Sequence, residues 1–332
     1  MQLMPNIEMD GTPPLVSVVV PAYQAAQWIS TALDSVLAQT FEDYEITVVN
    51  DGSPDTEELE RVLAPYRHRI RYLYQENQGP SGARNAGIRA SRGRYIAPLD
   101  ADDIWEPEHL AAQVMVLEAD PSIDVVHADA RIFGNSLQAG KTVMELCPSA
   151  SEEVTFAGVL TRQCTVPICV SVARRESLLR AGLFDTALRR TEDFDLWLRI
   201  LKQGGRITHQ QRVLGRYRRH SGSLSSDPVV MIESVLVVLA KAAEYEGITS
   251  VERQLIERQR HAECASLELH KGKRAFAAGD AKAAVEHLAR ANAYYHSTKL
   301  TVIVLLLRLS PQFLEVLSDF FNRFIYRPRT PV

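Results

Sequence analysis

Cysteine is scarce and never clustered. The chain has four, Cys147, Cys164, Cys169 and Cys264, in 332 residues, with no C-x-x-C pair. That spacing excludes a zinc ribbon and a disulfide framework, and it leaves idle thiols in a reducing compartment as the reading. Long apolar runs are also missing. The run Val302 to Leu307, as long as any in the chain, is far short of the roughly 20 residues that cross a bilayer as a helix. The segment MQLMPNIEMDGTPP has neither the basic nor the apolar region of a secretory signal, so a cytoplasmic protein is expected. Charge of either sign is not in excess: 37 Lys and Arg stand against 41 Asp and Glu. With no zinc finger, RNA-binding signature or basic stripe in the body, nucleic acid is not an expected partner.

What is present is an alternation of two periods. Residues 15–20 (LVSVVV), 44–50 (YEITVVN), 70–75 (IRYLYQ) and 94–100 (RYIAPLD) are short β-branched or apolar runs that read as buried parallel strands. Between them lie helical patterns. Ile29, Ala32, Leu33, Val36 and Leu37 share one face, a second helix covers 54–66, and a third starts near Ser81. Strand and helix in this rhythm predict a doubly wound α/β sheet, whose ligands sit beyond the carboxyl ends of its strands. There the chain places PAY (21–23), NDGS (50–53) and DADD (100–103).

Further on, a helix over 107–118 and a strand over 123–129 are expected, then a strand passing into a helix within VPICVSVARRESLLRAGLFD. TEDFDLWLRILKQGG predicts a strong helix: Thr191 as its cap, Phe194, Trp197, Leu198 and Leu201 as its apolar stripe, and Gly204-Gly205 as its stop. RITHQQRVLGRYRRHSGS reads as two short strands and a polar loop. Composition changes at Asp227-Pro228, after which the pattern is helical throughout, with a hairpin turning at Gly279-Asp280 similar to one tetratricopeptide-type unit.

Two acidic clusters carry the chemistry. In LDADDIW, an extended backbone turns Asp100 and Asp102 to a common space and Asp103 back. Carboxylates so close suit Mg2+ or Mn2+ shared with a phosphate; the alternative is capping of the helix that follows. In TEDFDLW, Glu192 and Asp193 place two acids at a helix N-terminus, a position that favours them.

The ordered motifs VSVVVPAY…VVNDGSPD, NQGPSGARNAGI, YIAPLDADDIW and TEDFDLWLRI, across about residues 15–222, resemble the family 2 glycosyltransferases of GT-A fold. The resemblance implies a mostly parallel central sheet flanked by helices. Residues 1–14 form an extension; 15–227 form the catalytic domain, with a nucleotide-binding half to 105 and an acceptor half from 106; and 228–332 form an all-helical extension. It implies a nucleotide-sugar donor held by Pro21, Ala22 and Tyr23, with Tyr23 against the base. Asp51 accepts the N3–H of uracil or thymine, although Asn50 stands where family members often carry a second acid. Arg84 is placed near the donor or against the Asp100 cluster, and Asn85 is a ligand or a helix-start residue. Asp100 and Ala101 face the ribose or a metal-bound water, and Asp102 ligates Mn2+ or Mg2+. His220 joins the metal shell or the diphosphate, and Arg218 or Arg219 meets phosphate oxygens. Asp193 is the catalytic base, with Glu192 as runner-up or acceptor ligand.

The implied activity is inverting, metal-dependent transfer of a sugar from a UDP- or dTDP-linked donor to a hydroxyl of a saccharide or lipid-linked acceptor, in polysaccharide or glycoconjugate synthesis. The alternatives are a non-catalytic GT-A scaffold acting through its helical region and a nucleotidyltransferase. Residues 300–329 are basic and aromatic-rich; they lie on the inner face of the membrane or pack on protein.

Overall fold

A computed structural model of the chain describes residues 2–3, by backbone alone, 12–147 and 153–309. Of the basic, aromatic-rich stretch 300–329, the part from residue 310 on lies outside the described residues. Alternating elements open the fold: β1 (Val16–Ala22), α1 (Ile29–Leu37), β2 (Tyr44–Asp51), α2 (Thr56–Leu63), β3 (Ile70–Gln75), α3 (Gly79–Ala90) and β4 (Tyr95–Pro98). These strands pair in parallel in the order β3-β2-β1-β4. Val16, Val18, Val19 and Val20 are wholly buried because helices cover both faces, which is why the run lacks polar alternation. Close packing of α3 on β1 needs Gly87, where a Cβ would strike a methyl of Val19.

The sheet continues through β5 (Ile104–Trp105), then, after α4 (His109–Ala119), β6 (Val125–Gly134) and β7 (Ser171–Arg174). The helix α5 (Glu192–Lys202) and the strand β8 (Ile207–Arg219) follow. Strand order becomes β3-β2-β1-β4-β7-β6-β8-β5, with β7 antiparallel to both β4 and β6, and β8 parallel to β6.

Two local readings are corrected. The segment expected as two short strands is one strand of 13 residues. The polar stretch His209-Gln210-Gln211-Arg212 is absorbed by register shifts against β6 between His209 and Val213, and again between Val213 and Gly215. A bulge there joins what was expected as two strands into one, and the polar loop expected after them begins at His220. Thr191 does not cap α5: it adopts φ +57°, its side chain caps nothing, and its hydroxyl donates to the Arg190 carbonyl at 2.6 Å. The stop is as expected, with Gly204 at φ +81° and Gly205 N–H donating to the Ile200 carbonyl at 2.9 Å.

Contacts divide the chain into two compact units. One comprises the residues up to Ser226 together with Glu244–Thr249; the other comprises Asp227–Ala243 and the chain from Ser250 on. The second is helical: α6 (Pro228–Ala242), α7 (Ser250–Ala277), α8 (Ala281–Tyr295) and α9 (Thr298–Leu309). Asp227 caps α6 through the Val229 N–H at 2.9 Å, and Asp280 caps α8 through the Ala283 N–H at 2.9 Å. Phe276, Leu288, Ile303 and Leu307 form its core.

Gly134, at φ +91°, closes β6 against the end of β8, and a Cβ there would lie 2.6 Å from the Arg219 carbonyl oxygen. Gly134→Ala should therefore cost about 1–3 kcal/mol through the left-handed backbone and the clash, read as a lower urea midpoint. An unchanged midpoint would show that this strand end is not tightly packed.

Candidate active site

The carboxyl ends of β1, β2 and β4 deliver Tyr23, Asp51 and Asp100 to one rim. Tyr23 is half exposed, at 50%, so it is a surface platform and not a core side chain; Pro21 is half-buried, and Ala22 and Ala101 are buried beside the chain turns. Asp51 is buried and oriented by one oxygen: Oδ1 accepts from Gln75 Nε2 at 2.7 Å and from Gln78 N–H at 2.9 Å. Its Oδ2 accepts no hydrogen bond from the described residues, which leaves it for a ligand. Asn50 builds the turn. Its amide donates to Thr56 Oγ1 (3.0 Å) and the Tyr72 hydroxyl (2.8 Å) and accepts from Ser53 N–H (2.9 Å).

Arg84 projects from α3 into the protein and is only 4% exposed. Its two terminal nitrogens meet different carboxylates, Glu192 Oε1 and Asp100 Oδ1, each at 2.5 Å. The Phe184 ring lies 5.6 Å from its guanidinium carbon. Burial opposes the charge, but Asp100 and Glu192 outweigh it and hold the Arg84 pKa above the ordinary arginine range. Of the two placements expected for Arg84, its terminal nitrogens take the acidic cluster. The adjacent Asn85 is structural: it donates to the Phe184 carbonyl at 2.7 Å and accepts from the Phe184 N–H at 2.9 Å.

Asp193 is treated differently from Glu192. It is half-buried, and Oδ1 accepts from the Phe194 N–H at 2.8 Å. Burial and then the Glu192 charge push its carboxyl up to about 7, against the weaker pull of the Phe194 N–H and Arg84. Two adjacent acids thus acquire different roles from their surroundings.

Asp102 and His220 face each other, His220 Nε2 to Asp102 Oδ2 at 3.1 Å. Nδ1 of His220 accepts from the Gly222 N–H at 3.1 Å, which assigns the proton of the neutral ring to Nε2 as donor to Asp102. Burial, then repulsion from Asp100, raises the Asp102 carboxyl above its usual range, with His220 only partly offsetting them. A carboxylate under-compensated in this way fits a hard divalent cation. The His220 ring, with its proton toward Asp102 and its lone pair toward Gly222, orients that carboxylate and has no lone pair left to ligate a metal, contrary to the metal-shell role expected for it. No cluster of three or more His, Cys, Asp or Glu suited to a metal occurs among the described residues. Water and ligand oxygens would therefore complete the shell.

Asp103 braces this turn from inside, accepting the Arg218 N–H at 2.7 Å. The Arg218 guanidinium, between the rings of Trp28 (4.2 Å) and Phe133 (4.3 Å), donates to the Asp102 carbonyl at 2.7 Å. Arg219 meets Gln138 at 2.7 Å. In the structure Arg218 and Arg219 hold the β8 end and the acidic turn. Sequence reasoning passed over Asp195, which is fully buried and paired with Arg199 at 2.7 Å. The i, i+4 spacing of those two was the available signal.

Arg84→Met keeps bulk but strands two carboxylates, so a loss of about 3–5 kcal/mol is expected in chemical denaturation. Arg84→Lys should recover only part, since one ammonium cannot reproduce the two-pronged geometry. Wild-type stability in Arg84→Met would contradict the pairing.

The model of Glycosyl transferase family 2 matches residues 17–180. UDP-Glc:alpha-D-GlcNAc-diphosphoundecaprenol beta-1,3-glucosyltransferase WfgD of Escherichia coli is 32% identical over 215 residues, 64% of this chain and 80% of that protein. An uncharacterized glycosyltransferase of Rickettsia felis is 33% identical over 216 residues, 63% of this chain. The chain spans about a third (35%) of that relative's length. Among solved structures, S. aureus TarS 1–349 with UDP-GlcNAc matches at TM-score 0.61 and 15% identity, covering 85% of this chain and 92% of that one. The mannosyltransferase PcManGT from Pyrobaculum calidifontis, solved with GDP-Man and Mn2+, matches at TM-score 0.59 and 20% identity, covering 95% and 89%. These structural likenesses establish the GT-A fold. The shared sequence, above all with the E. coli glucosyltransferase covered over 80% of its length, shows that the chain belongs to glycosyl transferase family 2.

Proposed function

We propose that this protein transfers a sugar, with inversion, from a UDP- or dTDP-linked donor to a hydroxyl of a saccharide or lipid-linked acceptor, with Mn2+ or Mg2+ held by Asp102, whose carboxylate the His220 Nε2–H orients. The observation that carries the reading is Asp193, half-buried beside the Arg84-paired Glu192 and raised to about 7. A base poised near the working pH takes a proton most effectively. As the acceptor oxygen attacks the anomeric carbon, its proton passes to Asp193. The bond from that carbon to the diphosphate oxygen breaks, and its electron pair leaves with the nucleoside diphosphate. Attack opposite the leaving group inverts the centre. A bound divalent cation would neutralise charge on the departing diphosphate.

Asp51 Oδ2 is the acceptor for a uracil or thymine N3–H, with Tyr23 against the ring and Pro21, Ala22 and Ala101 shaping the wall. Asp100, fixed by Arg84, faces the ribose. A lipid-linked acceptor is supported by the relative whose name specifies a diphosphoundecaprenol acceptor. It is also supported by α9, where Val302, Leu305 and Leu309 are exposed (49%, 50% and 81%) on a helix with Lys299, Arg308 and no acid. Residues 300–329 would rest on the inner face of the membrane in polysaccharide or glycoconjugate synthesis. No helix among the described residues is long and apolar enough to cross a membrane.

Melting the protein with UDP, dTDP, GDP and CDP, each with and without Mn2+, tests the donor site. A rise of several degrees with UDP or dTDP that depends on Mn2+ is expected. A preference for GDP or CDP would overturn the role of Asp51. Asp193→Asn should lower transfer by about 10²–10⁴-fold while the nucleotide shift persists. Because Asp193 must be ionised to act, wild-type kcat/KM should fall about tenfold per pH unit below about 7 and level off above it. A limb near 4 would contradict the assignment.

A further inference from the structure

The helix that carries Glu192 and Asp193 starts without a side-chain cap, on a left-handed Thr191. Something else must fix its first turn. One anchor is Arg84, acting through Glu192. The second is Asp195, two residues past the proposed base and wholly buried. Its Oδ2 receives Arg199 Nε and Nη2 at 2.8 and 2.7 Å, and its Oδ1 receives the Tyr245 hydroxyl at 2.7 Å. Arg199 also donates to the carbonyls of Ala181 and of Leu183, the latter at 2.7 Å. Phe184, next in the chain, is the residue clamped at both backbone groups by Asn85. The network therefore runs from the residue beside Arg84 to the base helix and on to Tyr245.

Tyr245 belongs to Glu244–Thr249, a short stretch that packs with the catalytic unit although the helices before and after it, α6 and α7, belong to the other. Burial and the Asp195 charge push the Tyr245 hydroxyl well above the ordinary phenol range, so it remains a proton donor to that carboxylate. A buried carboxylate fixed on both oxygens can set the direction of a helix turn; one fixed on a single oxygen leaves that turn freer to rotate.

We propose that Tyr245 is a positioning residue for glycosyl transfer: through Asp195 it fixes the first turn of α5, and with it the aim of Asp193. Turnover then depends on a side chain that lies 50 residues beyond Asp195 in the sequence and outside every catalytic motif. This inference rests on Asp193 as the base.

The test compares full-length wild type, Tyr245→Phe, Asp195→Asn, Asp195→Ala and Asp193→Asn by steady-state kinetics, with UDP binding by calorimetry in the presence of Mn2+. Tyr245→Phe should lower kcat by about tenfold with donor KM unchanged, as expected for a small misplacement of a reacting group. Its UDP stoichiometry should stay at the wild-type value, which shows that the molecules remain folded and binding-competent. Asp195→Asn, whose amide oxygen can still accept from Tyr245, reports loss of the Arg199 ion pair alone, whereas Tyr245→Phe combined with Asp195→Ala should be no slower than Asp195→Ala alone, since Tyr245 acts only through that carboxylate. Wild-type kcat in Tyr245→Phe while Asp193→Asn is inactive overturns the positioning role alone. A lower kcat matched by an equal fall in UDP stoichiometry overturns it too, by showing a folding defect. Retained turnover in Asp193→Asn removes the base, and the inference falls with it.

Discussion

A guanidinium buried between two carboxylates is the constraint on which the site depends. Five acids, Asp100, Asp102, Asp103, Glu192 and Asp193, converge on one region from two distant stretches of chain, and their mutual repulsion has to be met. Arg84 meets it selectively, taking Asp100 and Glu192 at 2.5 Å each. The Arg218 N–H meets Asp103. Asp102, Asp103 and Asp193 keep carboxyls raised above their usual range, Asp103 in spite of the Arg218 N–H. Of these three, Asp103 is turned inward to brace the β8 end, and the proposed chemistry uses the other two, Asp102 to attract a cation and Asp193 to receive a proton.

Because Arg84 sits on α3 and Glu192 on α5, this ion pair also joins the first, parallel part of the sheet to the segment that carries Asp193. Asn85 and Ser81 reinforce the junction. Asn85 grips Phe184, and the Ser81 hydroxyl donates to the Leu188 carbonyl at 2.9 Å. One turn and a half of α3 therefore sets the position of the whole 184–193 segment. Partners more than 95 residues apart along the chain hold it, so the site forms only when both parts have folded.

Much of this was legible in the sequence, and for physical reasons. Buried parallel strands write themselves as unbroken β-branched runs, so Val16–Ala22 and Tyr44–Asp51 were recognisable without any partner. Glycines at Gly204 and Gly279 marked helix ends because only a positive φ closes them cheaply. The acids were visible as residue types, but their division of labour was not. Whether Glu192 or Asp193 is free depends on which one Arg84 reaches, and that is a matter of three-dimensional direction. The same holds for Arg218, which the sequence offered to phosphates and the fold places between two aromatic rings. Polar Gln210 and Gln211 disguised a long strand because a bulge, unlike a loop, leaves no compositional mark. Tyr245 carried no signal at all, since its meaning comes from a buried Asp on a helix formed 50 residues earlier.

The most direct test of the account is a carboxyl-carbon NMR titration of protein labelled with 13C-aspartate, with the Asp193 resonance identified by its loss in Asp193→Asn. The account predicts a midpoint at about 7 in the wild type and a lower midpoint in Glu192→Gln, where the neighbouring charge is gone. A wild-type midpoint at about 4, the value of an ordinary solvated aspartate, would contradict it.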